Sequence, residues 1–453
     1  MKILLIYPPF CTPTVMPYST SYLKSFLSNN VKADVQCLDL NAKFHKMRFP
    51  SFYEKLRKTS GLEAYAKILA EFGSAARPVY ADNNKRVVAN EAPDLLHELL
   101  SLILRKKPDV VAFSLVYSSQ CFYARALIDE LKKRGIDCMA GGPAVNSKIE
   151  ERARCLKNEV ELVQYVIKKF GNGCKKFEGE EYNINTVPGF QEYNKNDYLS
   201  KETIIPLKTC SACFYRRCAF CTHFADVAYL EYNLDALKRT IVESGARNFF
   251  LIDDMISKPR LIEIAAMMKP LDVRWWCQLR PTRDLLGSFE KLYESGLRSV
   301  CWGVESGNQR MLDAMKKGTN VKDIQEVLKE SHDAGIKNTA YIMFGFPGET
   351  KEEFLDTIDF LKKNSANIDL VSTSVFGLQK RSAVYRKPQK YGITEIVETK
   401  RTVLDERISY KVMAGMDNEE AKRLRGKYIK TIRKINKLPY SLTVYKEQVL
   451  VFS

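Results

Sequence analysis

Patterns typical of buried strands alternate with patterns typical of helices along most of this chain, and this alternation restricts the fold more than any other feature. Apolar strand patterns occur at residues 204–209, 248–253, 273–279, 299–305, 339–345 and 370–376. Helical patterns fill the gaps, at residues 234–243, 260–268, 285–294, 321–333 and 352–363. Six strand–helix units predict a partial (β/α)6 barrel, built like the eight-fold TIM barrel, whose chemistry belongs to the loops at the carboxyl ends of its strands.

A second alternation precedes this one and predicts a second α/β layer. Strand patterns at residues 2–7, 34–38, 109–115 and 136–140 are separated by helical patterns that include 18–27 and 121–134. Strands and helices at this spacing form doubly wound, Rossmann-like parallel sheets, which bind ligands beyond the carboxyl ends of the strands. The residues at those ends are Pro8, Ser114, Tyr117, Gly141 and Gly142. Ordinary tight turns would explain the same residues.

The chain of 453 residues is too long for one core, and we divide it into four parts. Residues 1–145 form the Rossmann-like domain, with a polar helical insertion at about 41–104. Residues 146–201 are polar and irregular and are predicted to be a linker. The partial barrel follows at 202–378, and residues 379–453 are predicted to be a basic, helical C-terminal segment.

Composition indicates the compartment. No stretch approaches the roughly 18 consecutive apolar residues that a membrane span needs, and the amino terminus lacks a signal-peptide pattern. We therefore expect a cytoplasmic protein without a membrane span. In that reducing compartment the twelve cysteines are expected to be thiols or metal ligands rather than disulfides.

Four of these cysteines lie within twelve residues on the loop after the first barrel strand: Cys210, Cys213, Cys218 and Cys221. Three interpretations compete. Three of the cysteines, with His223 or Cys210 as the fourth ligand, could close a tetrahedral zinc site. Three cysteines could instead hold a 4Fe–4S cluster with one iron open to a ligand. Unliganded thiols are a poor explanation on a polar loop, but the cysteines alone do not decide between zinc and iron–sulfur.

The other barrel strands end in groups suited to one particular ligand. The residues at these strand ends are Asp253, Asp254, Arg280, Glu305, Gly345 and Gly348. Carboxylates bind an ammonium group and ribose hydroxyls, an arginine binds a carboxylate, and glycines admit an adenine edge. Together with an open iron they suit S-adenosylmethionine. Each acid taken alone could be a helix N-cap, but all of them at one end of the barrel favour a ligand.

These motifs together resemble a known family. Residues 204–376 resemble the radical S-adenosylmethionine (SAM) enzymes, and the whole chain is similar to the subgroup with an amino-terminal cobalamin-binding domain. The matching motifs are the loop Cys213-Phe-Tyr-Arg-Arg-Cys-Ala-Phe-Cys221, Gly303-Val-Glu-Ser-Gly-Asn308, Gly345-Phe-Pro-Gly-Glu-Thr350, Gly415-Met416, and the opening Pro8-Pro9 with Pro17-Tyr18. The spacing of four and then two residues between the cysteines is one longer than the commonest radical pattern, and several members of the subgroup share it.

The resemblance implies roles for the site residues. Cys213, Cys218 and Cys221 would hold the 4Fe–4S cluster, whereas Cys210 and His223 are not counted as ligands. The expected SAM contacts are Phe220 beside the adenine, Asp253 and Asp254 at the methionine amino group, Arg280 at the carboxylate, Glu305 at the ribose, and Gly345 and Gly348 on the adenine side.

The resemblance also implies cobalamin on the amino-terminal sheet, near Pro8, Ser114, Tyr117, Gly141 and Gly142. Many cobalamin domains bind cobalt through the histidine of an Asp-x-His-x-x-Gly motif. The counterpart that we assign, at residues 118–120, has no histidine, and the first 200 residues contain only His45 and His97. Histidine ligation from that motif is therefore excluded, which is compatible with relatives that leave the lower face of cobalt empty. The alternative is a vestigial domain that helps to hold the substrate.

The formal charge of +17 is concentrated near the carboxyl end. Residues 379–440 contain 17 lysines and arginines against seven acidic residues. A basic surface would attract an acidic flavodoxin or ferredoxin as electron donor, or an acidic peptide substrate. Nucleic acid is a less favoured partner, because the stretch lacks the regularly interleaved aromatic residues of a stacking platform.

The leading functional prediction is cobalamin-dependent radical C-methylation of an unactivated carbon in a peptide or small-molecule natural product. One electron from the cluster would break a carbon–sulfur bond of SAM and release methionine and a 5′-deoxyadenosyl radical, which abstracts hydrogen from the substrate. One alternative is a radical SAM enzyme without working cobalamin, acting by rearrangement, coupling or RNA modification. The alternative from another class is a zinc-stabilised nucleic-acid-binding protein.

Overall fold

The computed structural model describes residues 1–171, 185–223 and 227–453. It consists of two compact units. The first comprises Met1–Pro206, Asp235–Ala246 and Lys400–Glu406, and the second comprises Leu207–Leu234, Arg247–Thr399 and Arg407–Ser453. Cys174 lies outside the described residues.

The first unit is built on a five-stranded parallel sheet with the strand order β2-β1-β3-β4-β5. The strands are β1 (Lys2–Tyr7), β2 (Asp34–Asp39), β3 (Val110–Ser114), β4 (Asp137–Gly141) and β5 (Arg154–Leu156). The helices are α1 (Tyr18–Asn30), α2 (Leu40–Arg48), α3 (Pro50–Lys58), α4 (Leu62–Val88), α5 (Leu96–Arg105), α6 (Gln120–Lys132), α7 (Ser147–Glu150) and α8 (Glu159–Phe170). Near-continuous apolar runs form β1 and β3 because both faces of the sheet are covered.

Helices α1 and α8 pack on this sheet through one apolar cluster. Phe26 and Leu27 of α1 and Val163 and Val166 of α8 contact buried strand residues such as Leu5. Helix α6 packs with α4 and α5. Both of these helices come from the segment predicted as a helical insertion. The fold class predicted for this part, a doubly wound parallel sheet, is confirmed.

The structure differs from the sequence prediction over residues 146–201, which we expected to be an irregular linker. Residues 147–170 form α7, β5 and α8, and β5 is the fifth strand of the sheet. Asn158 caps α8 by accepting a hydrogen bond from the Glu161 amide, and Leu162, Val163 and Val166 bury its apolar side. The prediction was wrong because the many charged residues obscured this short amphipathic helix.

The second alternation forms a six-stranded sheet whose order, β6-β9-β10-β11-β12-β13, follows the chain. The strands are β6 (Ile204–Leu207), β9 (Asn248–Leu251), β10 (Arg274–Leu279), β11 (Leu297–Glu305), β12 (Lys337–Phe344) and β13 (Leu370–Val375). A short antiparallel pair, β7 (Cys210–Ser211) and β8 (Leu230–Glu231), flanks the cysteine loop. All six predicted strands are present, and the α/β barrel-like architecture is confirmed.

The helices of this second alternation lie between successive strands of the sheet. They are α9 (Leu234–Ser244), α10 (Lys258–Met268), α11 (Phe289–Glu294), α12 (Gln309–Ala314), α13 (Val321–Asp333) and α14 (Lys351–Lys363). Helix α14 begins with a complete capping box, in which Thr350 accepts from the Glu353 amide and Glu353 accepts from the Thr350 amide. No helix in the described residues is long and apolar enough to cross a bilayer.

The C-terminal segment is less helical than the sequence predicted. It contains α15 (Ala383–Arg386), the antiparallel hairpin β14 (Ile393–Thr399) and β15 (Arg407–Val412), and one long helix, α16 (Asn418–Ile435). Ile396, Ile408 and Tyr410 of the hairpin pack against an apolar cluster that includes Phe346. This cross-strand packing, which local helical periodicity does not capture, favours a hairpin there.

Candidate active site

The cysteine loop leaves β6 and β7 at the carboxyl end of the six-stranded sheet. Its backbone is fixed at several points: Cys213 forms an isolated bridge with Met255, and the Ala219 amide donates to the Met315 carbonyl at 2.8 Å. Ala212 and Arg216 have positive φ angles of 53°, which lets the loop turn back sharply without glycine. The loop therefore lies where (β/α) barrels place their chemistry.

Cys213, Cys218 and Cys221 are all half-buried on this loop. Burial raises the pKa of Cys221 to about 11, and the nearby Cys218 and Cys213 thiols raise it further. Burial also raises the pKa of Cys218, against a lowering by Lys317. Without a bound cation the Cys218 and Cys221 thiols favour the protonated form, whereas a coordinated metal deprotonates a thiol outright. The donor set thus fits a soft, positively charged group such as an iron–sulfur cluster.

A zinc site is the competing interpretation of this loop. Zinc is held by four donors, each about 2.0–2.3 Å from the ion. In the part of the chain that the structure describes, no three His, Cys, Asp or Glu side chains form a group that could hold one metal ion. Cys210 lies apart: it is 1% exposed, and its Sγ lies 3.4 Å from Asp253 Oδ1. We therefore keep it outside the ligand set.

Asp253 and Asp254 follow β9 and face different surroundings. Asp253 is buried, and its Oδ1 accepts hydrogen bonds from the Thr209 and Cys210 amides, both at 2.8 Å. Its Oδ2 accepts from Thr209 Oγ1 at 3.1 Å. Both acids were expected at the methionine amino group. In the structure, however, both oxygens of Asp253 are occupied by hydrogen bonds from the loop after β6. Asp254 is the exposed member of the pair and the one that can reach a ligand.

His223 pairs with Asp254. Its Nδ1 lies 2.6 Å from Asp254 Oδ1, and this hydrogen bond raises the pKa of the His223 imidazole. The His223 side chain is 64% exposed. This position agrees with the decision not to count His223 as a ligand, and the pairing gives Asp254 a fixed orientation at the edge of the cysteine loop.

Arg280, at the end of β10, is held between the cysteine loop and the segment after α12. Its guanidinium carbon lies 3.6 Å from the centroid of the Tyr215 ring, and Nη1 donates to the Lys317 carbonyl at 3.3 Å. The Nε atom is buried and has no partner among the described residues. A buried N–H without an acceptor is costly, so Arg280 is well suited to bind a carboxylate.

Glu305 ends β11 with a positive φ of 67°. Its Oε1 accepts a hydrogen bond from Lys317 Nζ at 2.8 Å, and the two side chains are only 14% and 10% exposed. Gly303 makes room for this pair, since a Cβ there would lie 2.7 Å from Lys317 Nζ. The expected ribose contact is therefore half-buried and already oriented by a cation.

Lys317 and Tyr215 are the site residues that sequence reasoning missed. Tyr215 Oη donates to the Lys316 carbonyl at 2.9 Å, and its ring stacks under Arg280. The Lys317 ammonium lies 5.8 Å from the centroid of the Phe220 ring. A lysine in a charged, glycine-containing turn resembles a surface residue in sequence, so only the tertiary fold identifies it.

The turn after β12 shows why glycine is needed there. Gly345 has a φ of 72°, and a Cβ on it would lie 2.6 Å from the Ala421 Cβ of α16; Gly348 has a φ of 84°. The Glu349 carboxylate accepts the Gly345 amide hydrogen and is fully buried. Burial raises the pKa of Glu349 to about 8, so this carboxyl braces the turn from inside.

In the first unit, Gln120 organises the carboxyl edge of the sheet. Its Oε1 accepts from the Val116 and Tyr117 amides at 2.8 and 2.9 Å, and its Nε2 donates to the Pro8 carbonyl at 2.8 Å. Pro8 and Tyr117, two of the predicted edge residues, thus belong to one network, and the Tyr117 side chain is 53% exposed.

Two more residues at this edge are engaged inside the unit. Ser114 Oγ hydrogen-bonds Ser19 Oγ at 2.7 Å. Gly142 approaches the Leu115 backbone so closely that a Cβ would lie 2.3 Å from the Leu115 carbonyl oxygen. The neighbouring Gly141 carbonyl accepts a hydrogen bond from the Leu115 amide at 2.8 Å. Gly142 is therefore required by backbone packing, whatever the edge binds.

Comparison with known sequences identifies the second alternation. Residues 207–361 match the radical SAM superfamily. An uncharacterised methyltransferase of Pyrococcus horikoshii is 30% identical over 125 residues, 27% of each chain. The bacteriochlorophyllide d C-12(1)-methyltransferase of Chlorobaculum tepidum is 24% identical over 206 residues, covering 41% of this chain and 44% of the relative. The chain thus spans less than half the length of these two relatives.

Solved structures agree over almost the whole chain. The radical SAM methyltransferase TsrM from Kitasatospora setae, solved with cobalamin and a [4Fe-4S] cluster bound, has a TM-score of 0.63 at 14% identity, covering 89% of this chain and 82% of TsrM. The cobalamin-dependent radical enzyme OxsB has a TM-score of 0.65 at 13% identity, covering 100% of this chain and 72% of OxsB. At these identities the likeness shows the fold. From the family match over residues 207–361, this fold and the thiol-bearing loop at the carboxyl end of the sheet, we conclude that the second alternation of this chain is a radical SAM domain.

Proposed function

We propose that this enzyme is a cobalamin-dependent radical SAM methyltransferase that methylates an unactivated carbon of a peptide or small-molecule natural product. The observation that carries the proposal is the placement of Cys213, Cys218 and Cys221 together on one loop at the carboxyl end of the six-stranded sheet. The fold of cobalamin-dependent enzymes over both units supports the methylation outcome.

In this proposal the three thiols hold a 4Fe–4S cluster with one iron left for SAM. When bound, the cluster and SAM supply a one-electron cleavage that gives methionine and a 5′-deoxyadenosyl radical. The chain would supply orientation: Asp254 would hold the amino group, the unpartnered Arg280 Nε the carboxylate, and Glu305 the ribose. Phe220 is half-buried, next to the ligand Cys221, where its ring can contact the adenine.

The glycine turn completes the proposed SAM site. Gly345 and Gly348 have positive φ angles and leave backbone groups accessible to an adenine edge. Asp253 acts indirectly, because it holds the Thr209 and Cys210 amides at the start of the cysteine loop. This arrangement differs from a zinc-stabilised nucleic-acid-binding protein, whose metal would be structural and closed.

Cobalamin is proposed at the carboxyl edge of the first unit, near Pro8, Ser114, Tyr117, Gly141 and Gly142. Two observations support this placement: Gly142 approaches the Leu115 backbone closely, with no room for a side chain, and Tyr117 is 53% exposed at the same edge. When bound, cobalamin supplies a transferable methyl group. TsrM was also solved with tryptophan as its substrate, which supports a substrate of similar size for this chain.

The electron is proposed to come from an acidic flavodoxin or ferredoxin. Helix α16 offers a basic surface, with Lys427, Lys430 and Lys434 exposed along it. Opposite charges raise the rate at which such a donor associates.

Anaerobic reconstitution tests the cluster. We expect brown protein with about four irons per chain, and cleavage of SAM to 5′-deoxyadenosine under strong reductant. Replacing Cys213, Cys218 or Cys221 by alanine should abolish both, whereas Cys210→Ala should keep them. Colourless protein that contains only zinc would contradict the proposal, and loss of iron in Cys210→Ala with retention in Cys213→Ala would show that the ligand set is wrong.

Corrinoid retention tests the methylation outcome. The protein is incubated with hydroxocobalamin, desalted and measured for bound corrinoid, and a trideuteromethyl-labelled SAM is then supplied with candidate substrates. We expect about one corrinoid per chain and a product heavier by the labelled methyl group. Formation of 5′-deoxyadenosine without retained corrinoid would instead identify a radical SAM enzyme with a vestigial first domain.

A further inference from the structure

Lys317 is a charged side chain in an almost fully buried position. It follows α12 and is 8% exposed. Lysines are rarely buried to this extent unless they are paired, and the Lys317 ammonium donates to Glu305 Oε1 at 2.8 Å. Glu305 is its hydrogen-bond partner among the described residues, so further N–H donors of this ammonium remain for other groups in the site.

The same ammonium acts on the cysteine loop. Its Nζ lies 5.8 Å from the centroid of Phe220, the residue that precedes Cys221. Burial lowers the pKa of Lys317 itself, but Glu305 and Cys218 together outweigh it and leave the pKa above its usual value. The lysine is therefore kept charged beside the cysteine loop, with Phe220 as its contact there.

The position of Lys317 is fixed by the backbone around it. The carbonyls of Met315, Lys316 and Lys317 accept hydrogen bonds from Ala219, Tyr215 and Arg280 at 2.8, 2.9 and 3.3 Å. We call residues 315–318 the carbonyl clamp. Three successive carbonyls are engaged by the cysteine loop and by Arg280, which fixes the backbone from which the Lys317 side chain reaches Glu305.

A fixed positive charge at this place has a defined electrostatic consequence. One-electron reduction of an iron–sulfur cluster adds a negative charge to a site that already contains three thiolates. A nearby cation stabilises the reduced form more than the oxidised form, and the effect is larger in a poorly solvated site than in water. The neighbouring Glu305 carboxylate acts in the opposite direction, so the two charges partly offset each other.

We propose that Lys317 is a positioning residue of the radical SAM centre: its ammonium raises the reduction potential of the cluster held by Cys213, Cys218 and Cys221, and it fixes the Glu305 carboxylate. This inference rests on the proposed function, because it presupposes that cluster. The step concerned is the uptake of one electron from a low-potential one-electron donor, in which the cluster is reduced, the donor is oxidised and no bond breaks.

The test is a redox titration of the reconstituted full-length protein without SAM, followed by electron paramagnetic resonance. The variants are Lys317→Gln, Lys317→Arg, Glu305→Gln and the double variant Lys317→Gln/Glu305→Gln. Lys322→Gln, which removes an exposed lysine of α13, is the matched control. We expect a more negative potential in Lys317→Gln, a more positive one in Glu305→Gln, and an intermediate one in the double variant. Lys317→Arg and the control should match the wild type.

Each outcome decides the inference. Equal potentials in Lys317→Gln and the wild type overturn it, as do equal shifts in Lys317→Gln and Lys317→Arg. If Lys317→Gln loses its iron, retention in Lys317→Arg supports a role for the charge, whereas loss in both variants shows that Lys317 is needed only for packing. A wild-type protein that assembles no cluster overturns the proposed function itself, which distinguishes the two failures.

Discussion

At the scale of single residues, the site is defined by which charges are buried and which partners they have. Asp253 has both carboxylate oxygens occupied by the protein, whereas Arg280 retains a buried Nε without an acceptor among the described residues. A satisfied carboxylate holds structure, and an unsatisfied donor is available for a ligand. The distinction separates residues that brace the site from those that can bind in it.

Glu349 gives a prediction about pH and stability. Its pKa is about 8 in the folded protein and about 4.3 in an unfolded chain, so between these values the folded state binds more protons. Stability should therefore fall as pH rises through this window. We expect Glu349→Gln to remove this pH dependence. The free energy of unfolding of the variant, relative to that of the wild type, should increase by about 2–4 kcal/mol as the pH rises from 5 to 9. Urea unfolding at several pH values measures it.

The control for Glu349 is Glu352→Gln, which changes an exposed carboxylate in the first turn of α14. This variant should keep the pH dependence of the wild type. A stability difference between Glu349→Gln and wild type that stays constant from pH 5 to pH 9 would show that Glu349 is ionised in the folded protein.

At the scale of elements, short segments determine where the loops lie. The carbonyl clamp contains Gly318, which has a φ of 64°, and a Cβ there would lie 2.1 Å from Tyr215 Oη. Tyr215 cannot move without breaking its hydrogen bond to the Lys316 carbonyl and its cation–π contact with Arg280. We expect Gly318→Ala to lower the free energy of unfolding by about 1–3 kcal/mol and to reduce the iron retained after reconstitution.

The matched control for Gly318 is Gly287, which has a similar φ of 77° but open space where a Cβ would lie, with no described atom within 4 Å. Gly287→Ala carries only the backbone strain of a left-handed residue and should retain iron like the wild type. Equal iron loss in both variants would mean that backbone strain, rather than the contact with Tyr215, is responsible.

Helix α8 provides a second prediction at this scale. Leu162 is buried in the core of the first unit, whereas Gln164 on the same helix is exposed. We expect Leu162→Ala to destabilise the first unit by about 2–5 kcal/mol and Gln164→Ala to change it little. Thermal or urea unfolding of the two variants distinguishes a packed helix α8 from an irregular linker, because in a linker both substitutions would be nearly neutral.

At the scale of the whole molecule, the net charge of +17 predicts an ionic-strength effect. Reduction of the cluster by an acidic flavodoxin should slow as salt rises, because screening weakens long-range attraction. Lys427→Glu, Lys430→Glu and Lys434→Glu combined should lower the association rate about 10-fold or more at low salt. Stopped-flow reduction measures this, with dithionite as the control reductant. Unchanged rates with flavodoxin would place its docking surface elsewhere.

Much of the architecture could be predicted because it depends on local patterns. The strands of the six-stranded sheet, β6 and β9 to β13, lie within two residues of their expected limits, since each is a short apolar run between helical patterns. The cysteine loop was found for the same reason: its four thiols are close in sequence. The fifth strand β5 and the hairpin β14–β15 were missed, because each depends on pairing that three to seven residues do not signal alone.

The sequence by itself therefore determined the alternation of strands and helices, the end of the sheet that carries the cysteine loop, and the cysteines that lie close together on that loop. Tertiary structure decided the rest of the site: Asp253 turned inward, Asp254 paired with His223, and Lys317 buried beside Glu305. The physical reason is that periodicity fixes which residues are apolar and where strands end. The charge state and availability of a polar side chain depend instead on burial and on partners far away in the chain.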